Sequence, residues 1–167
     1  MTMPTPTPDG AVVVRGADAE TIGHPAFIFS RLLLDASDTR DGHLGVGWTT
    51  LAEGVGGARP HHHAHRSELF YVIEGEIEVL AGDQVMRAGK GDVVLVPPGM
   101  AHAFGAVPGV AAEVLIVLAP AIDRFEYFRT LERIALGKAP ADALLGEQER
   151  YDTWFLESEP WRAARSR

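Results

Sequence analysis

The chain has 167 residues, 46% of them apolar and 23% charged, with a formal charge of −8, which suits one globular domain able to bury a core without staples. It holds no cysteine, so a disulfide framework, a thiolate metal site and a cysteine nucleophile are excluded together, and any metal must be held by nitrogen and oxygen. The negative balance argues against a nucleic-acid surface, and with no membrane-length apolar run and no basic-then-apolar start, the expected compartment is the cytoplasm.

In chain order, residues 1–10 (MTMPTPTPDG) read as a loose proline- and threonine-rich arm. Ala11 to Arg15 is a short β-branched strand, and Phe27 to Leu34 is an apolar run of strand length. Leu44 to Leu51 alternates, placing Leu44, Val46, Trp48 and Thr50 on one face. After a glycine-rich approach come Leu69 to Ile73 and Glu76 to Leu80, which flank Glu74-Gly75 as a hairpin would. Further strands are expected over Gln84 to Arg87, Val93 to Val96, His102 to Phe104 and Glu113 to Leu118. Pro97-Pro98-Gly99 between two of them fits a type II turn. Gly57, Gly75 and Gly99 all read as turn residues. Many short strands with glycine-rich turns indicate an all-β sandwich or barrel over 11–119. From 120 the period becomes helical, with Ile122, Phe125, Phe128, Leu131 and Ala135 on one stripe and Gly137 as the stop. A second helix is expected over Pro140 to Tyr151, and the aromatic tail around Trp154, Phe155 and Trp161 is expected to cover the barrel or a neighbouring subunit.

Four of the seven histidines lie in the five residues His61 to His65, and Glu68 follows. On a strand, His61 and His63 share a face, with Cα atoms roughly 6.6–7 Å apart, close enough for two imidazoles to meet at one cation. His62 then points the other way, and His65 reads as a surface residue. Downstream, Gly91-Asp92-Val93-Val94-Leu95-Val96-Pro97-Pro98-Gly99-Met100-Ala101-His102 forms a second motif. These two segments together, over about residues 44–118, resemble the two sequence motifs of the cupin family.

The resemblance implies a double-stranded jelly-roll β-barrel of the RmlC-like type, with the helical extension following it. It also implies that His61, His63, Glu68 and His102 hold one divalent transition metal, Fe, Mn, Ni, Co or Zn. Glu68 has general-base service as its other role. Cupins place an asparagine where this chain has Ala106, but that position is not a ligand. Three neutral imidazoles and a carboxylate suit a first-row divalent ion, and four protein ligands on an octahedral ion leave open positions for substrate. Alternation from Glu68 and His102 turns Phe70, Val72, Met100 and Phe104 inward, and Trp48 is expected to join them as pocket wall or core.

The quercetin 2,3-dioxygenase-like cupins suggest an oxygenase of a small aromatic, flavonol-like or polyketide-like molecule. The alternatives are a metal-dependent cyclase or isomerase of a polyketide-type intermediate and a non-catalytic small-ligand binder. A homodimer is the expected assembly.

Overall fold

The structure, a computed structural model, describes residues 5–6, 10–24 and 28–166. Its strands are β1 (Thr5–Pro6), β2 (Val12–Val13), β3 (Glu20–His24), β4 (Ile28–Leu34), β5 (Gly45–Leu51), β6 (Gly56–His62), β7 (Ser67–Ala81), β8 (Gln84–Gly89), β9 (Val93–Val96), β10 (His102–Ala106), β11 (Ala112–Ala119) and β12 (Trp154–Phe155). The helices are α1 (Phe125–Ala135), α2 (Gln148–Tyr151) and α3 (Glu159–Arg165). β1 and β2 pair as a ribbon, so part of the expected N-terminal arm is paired; residues 1–4 and 7–9 of that arm, and Phe27 of the apolar run, fall outside the described residues. No helix among the described residues is long and apolar enough to cross a membrane.

The remaining strands form one antiparallel sheet in the order β12-β6-β10-β7-β11-β5-β4-β3, with β8 and β9 also paired to β7. Strand β7 shapes it. Its first half pairs with β11 and β9, its second half with β10 and β8. One strand therefore serves both halves of the sheet, which curl to face each other across a core that includes Phe70, Val72, Ile77, Val79, Phe104 and Val114. Phe70, Val72, Ile77 and Val79 are completely buried, each worth about 1.5–3 kcal/mol relative to exposure.

The expected hairpin at Glu74-Gly75 is absent, because β7 runs straight through both residues. Gly75 has φ +75°, and a Cβ there would lie 1.8 Å from the Ala111 carbonyl oxygen. Glycine is needed because β11 passes too close for any side chain, at an irregularity in the β7–β11 register. A local hairpin and a bent through-strand ask for the same residue. Gly57 is likewise no turn residue: it lies in β6, and a Cβ would meet the Phe104 ring at 2.2 Å. Gly99 does sit in its expected turn, with φ +79°, and its N–H donates to the His63 carbonyl at 2.7 Å.

After the barrel, α1 carries the expected apolar stripe. It closes with Lys138 N–H on the Arg133 carbonyl and Gly137 N–H on the Ile134 carbonyl, the paired bonds of a glycine helix stop. The second expected helix shrinks to one 3-10 turn, Leu145–Glu147, and the four-residue α2; Gly146 interrupts the segment, and isolated helices this short gain little from propensity. The aromatic tail covers its own barrel. β12 adds to the edge of β6, and Trp161 of α3 packs on Leu80 and Ala103. Ser158 caps α3 by accepting from Trp161 N–H at 3.3 Å.

Candidate metal centre

His61 is the penultimate residue of β6, His63 follows that strand, Glu68 is the second residue of β7 and His102 opens β10. His102 is the cross-strand partner of His61, so the two motifs meet through sheet register. One ligand atom from each of the four residues lies within 4.8 Å of every other, and all four residues are buried. The ring centroids of His61 and His102 are 4.2 Å apart, those of His61 and His63 4.9 Å. His62 turns away and stacks on Trp154 at 6.5 Å, and His65 is exposed, both as expected.

Each imidazole is held by its far nitrogen. His61 Nδ1 faces the Arg59 carbonyl at 2.9 Å, His63 Nδ1 the Asp152 carbonyl at 2.5 Å and His102 Nδ1 the Met100 carbonyl at 3.0 Å. A carbonyl only accepts, so Nδ1 carries the hydrogen in all three rings, and each Nε2 of a neutral ring presents a lone pair. Burial, with His102 beside it, pushes the His61 pKa well below its ordinary value and keeps that ring neutral. Buried His63 Nε2 makes no well-formed hydrogen bond and lies 3.4 Å from Glu68 Oε2, and His102 Nε2 lies 2.7 Å from the same oxygen. A lone pair against a carboxylate oxygen at that distance calls for a shared proton or for a metal ion that both atoms ligate. Burial raises the Glu68 pKa, but contacts with His102 and His63 outweigh it and hold the carboxyl well below the usual range. One divalent ion would satisfy the three imidazole nitrogens and the buried carboxylate together, and the three carbonyls stand where outer supports orient metal-binding histidines.

Asp152 is the member of this arrangement that no motif announces. It follows α2, 89 residues from His63, in a left-handed conformation with φ 45°. Its carbonyl takes the His63 hydrogen, while its carboxylate accepts Ala64 N–H at 2.9 Å, His65 N–H at 3.0 Å and the Arg66 guanidinium at 2.5 Å. Burial raises its pKa, yet those donors bring it below the ordinary value. The C-terminal segment thus fixes the loop that carries His63.

His61 and Glu68 line one end of a chamber of about 460 Å³, within the range of small-molecule sites. The inner face of β4 and β5 forms one wall, and α1 lies across as the other. Asp35 fixes that helix by accepting Arg124 N–H at 2.7 Å and Phe125 N–H at 2.9 Å; burial pushes the Asp35 pKa up. Of the expected pocket residues, Phe104 lines the chamber. Phe70 and Val72 are instead packed core with Met100 against them. Trp48 leaves by the opposite face of β5, under Arg31 at 5.5 Å, because Thr49 takes the inward position and meets Ser30 at 2.9 Å. The β5 alternation was legible, but which face points inward depends on where α1 lands.

A cupin-domain profile matches residues 47–118, the span that contains all four clustered residues. The barrel is a cupin domain. Among solved structures, the chain is similar to an RmlC-like cupin from Shewanella frigidimarina, with TM-score 0.54 and 20% identity over 68% of this chain and 92% of that one. It is also similar to a predicted oxalate decarboxylase from Thermotoga maritima, with TM-score 0.57 and 18% identity over 64% and 97%. The polyketide cyclase RemF from Streptomyces resistomycificus gives TM-score 0.54 and 20% identity over 74% and 96%. At these identities the likeness is one of fold. No curated protein matches the chain.

Proposed function

We propose that this cupin is a metal-dependent enzyme acting on a small, largely apolar molecule of aromatic or polyketide type, and that its reaction is a dioxygenation. One observation carries the reading: the buried four-residue cluster opens, through His61 and Glu68, onto a partly open and mostly apolar chamber. A metal site built only for structure needs no such chamber beside it. A bound divalent ion supplies Lewis acidity to an enol or phenol oxygen and, where it is redox-active, a partner for dioxygen. Fe, Mn, Ni and Co therefore fit the proposal better than Zn. The chain's residues do the rest: the three carbonyl-anchored imidazoles keep their lone pairs aimed inward, α1 covers one side of the chamber, and Glu68 stays ionised. Glu68 serves as a base only on leaving His102 and His63, whose contacts favour its charged form.

A second reading, cyclisation or isomerisation of a polyketide-type intermediate without oxygen, draws support from the shared fold with RemF, the match covering 74% of this chain. Metal analysis and oxygen uptake separate the two. The purified protein is expected to hold about one Fe, Mn, Ni or Co per chain, and His63→Ala to lose it. Oxygen consumption with a flavonol and catechol series supports dioxygenation. No uptake by the Fe(II)-loaded protein counts against it, and metal retained by the His63→Ala protein overturns the site.

A further inference from the structure

The chamber's charged groups divide into those already committed and those that are not. Glu68 belongs to the metal cluster, the Asp35 carboxylate is spent on the first N–H groups of α1, and Glu132 Oε1 accepts Gly23 N–H at 2.8 Å. The two cations, Arg124 and Arg59, enter none of the ion pairs formed among the described residues. Arg124 is 8% exposed, its Nε is buried without a hydrogen-bond partner, and its guanidinium stacks against Tyr127 and Phe128 at 5.1 and 5.2 Å. Arg59 stands at the more exposed side, its guanidinium 3.8 Å from the centre of the Phe155 ring. Ring contacts orient both guanidinium groups without neutralising them. A buried cation with no counter-charge is costly, and a planar fork held in place matches a carboxylate in two-point geometry. Tyr127 lines the same wall; burial raises its pKa while Arg124 and Arg59 pull it down, which places all three in one electrostatic neighbourhood.

We infer that the chamber takes an apolar carboxylate, its anionic group read by Arg124 and Arg59 and its aromatic or aliphatic body lying between β4 and α1. The inference rests on the chamber being the substrate site proposed above, and it narrows the substrate from an apolar molecule to an apolar acid. Arg124 is then a specificity residue, and the metal end is left free for a second oxygen of the same molecule.

The test is calorimetric titration with 2-naphthoate and with its neutral isostere 2-naphthamide, on EDTA-treated and on Mn(II)-loaded protein. The acid is expected to bind at least about tenfold more tightly than the amide in both states. Arg124→Gln is expected to bring that ratio to within about threefold while leaving amide affinity unchanged, and Arg59→Gln to lower it in part. Equal affinities in the wild-type protein, no binding of either probe, or a preference for the acid untouched by Arg124→Gln overturns the inference. So does a preference seen only with Mn(II) present, which assigns the carboxylate to the metal. Should Arg124→Gln not fold, the wild-type ratio without metal and the exposed Arg59→Gln variant still decide. Failure to bind Mn(II) with the acid preference intact overturns the metal reading and leaves the arginine subsite standing.

Discussion

At the scale of single residues, the centre depends on a pairing between segments far apart in the chain. Asp152 holds His63 by its carbonyl and the His63–Arg66 loop by its carboxylate. Asp152→Asn keeps the carbonyl and the volume but removes the charge facing Arg66 and turns one acceptor into a donor aimed at an N–H. Outer supports of metal histidines are typically worth about 10–100-fold in affinity. Asp152→Asn is therefore expected to weaken metal binding by about tenfold with unchanged far-ultraviolet circular dichroism, read by competition with a chelating dye. Metal affinity equal to wild type would assign Asp152 to loop packing alone. His61, His63, Glu68 and His102 were legible because each motif is local, and alternation on a strand tells which histidines share a face. Asp152 and Arg124 were not. They sit in ordinary polar stretches, and their roles come from packing onto partners far away in the chain.

Among the elements, β7 and α1 carry the main dependencies. Gly75→Ala sets a methyl against the Ala111 carbonyl at 1.8 Å and asks alanine for φ +75°. The obstacle is backbone from the neighbouring strand, not the end of a flexible side chain. A loss of at least about 3 kcal/mol is expected, or failure to fold, measured by urea unfolding; a loss below about 1 kcal/mol would mean β11 can move aside. α1 is tied at its far side to β3, where Arg129 donates to Glu20 at 2.6 and 2.8 Å. The Arg129 guanidinium hydrogen bond lowers the Glu20 pKa below its ordinary value, against a smaller effect of burial. A depressed folded pKa means that the contribution is complete above the unfolded value and lost as pH falls through the lower folded one. Glu20→Gln is accordingly expected to cost about 0.5–1 kcal/mol near neutral pH, discounted because the pair is partly exposed. The difference from wild type should shrink progressively as pH falls below the ordinary glutamate range, and urea unfolding across an acid series reads it.

For the whole molecule, the assembly expectation changes its surface while keeping its stoichiometry. Trp161 is buried on its own barrel, so the aromatic tail is not the main apolar surface on offer. On the outer face of the sheet, however, Leu95, Val93 and Tyr71 are 62%, 58% and 40% exposed. Tyr71 and Val93 are cross-strand partners, as are Leu69 and Leu95, so the strip is continuous. A homodimer through this face is the expected state. Light scattering after size exclusion should give twice the chain mass for wild type and a single chain for Val93→Glu with Leu95→Glu. A monomeric wild type removes the expectation.

The sequence by itself determined the all-β class, the two motifs, the four residues of the buried cluster and the α1 stripe, because each is written within a few residues of itself by period, turn chemistry or spacing. Tertiary structure decided the path of β7, the inward face of β5, the support of His63 by Asp152 and the chamber beneath α1. The physical reason is common to all four: glycine, alternation and charge state what a residue can tolerate or offer, but close approach and burial require a partner, and that partner is brought from elsewhere in the chain by folding.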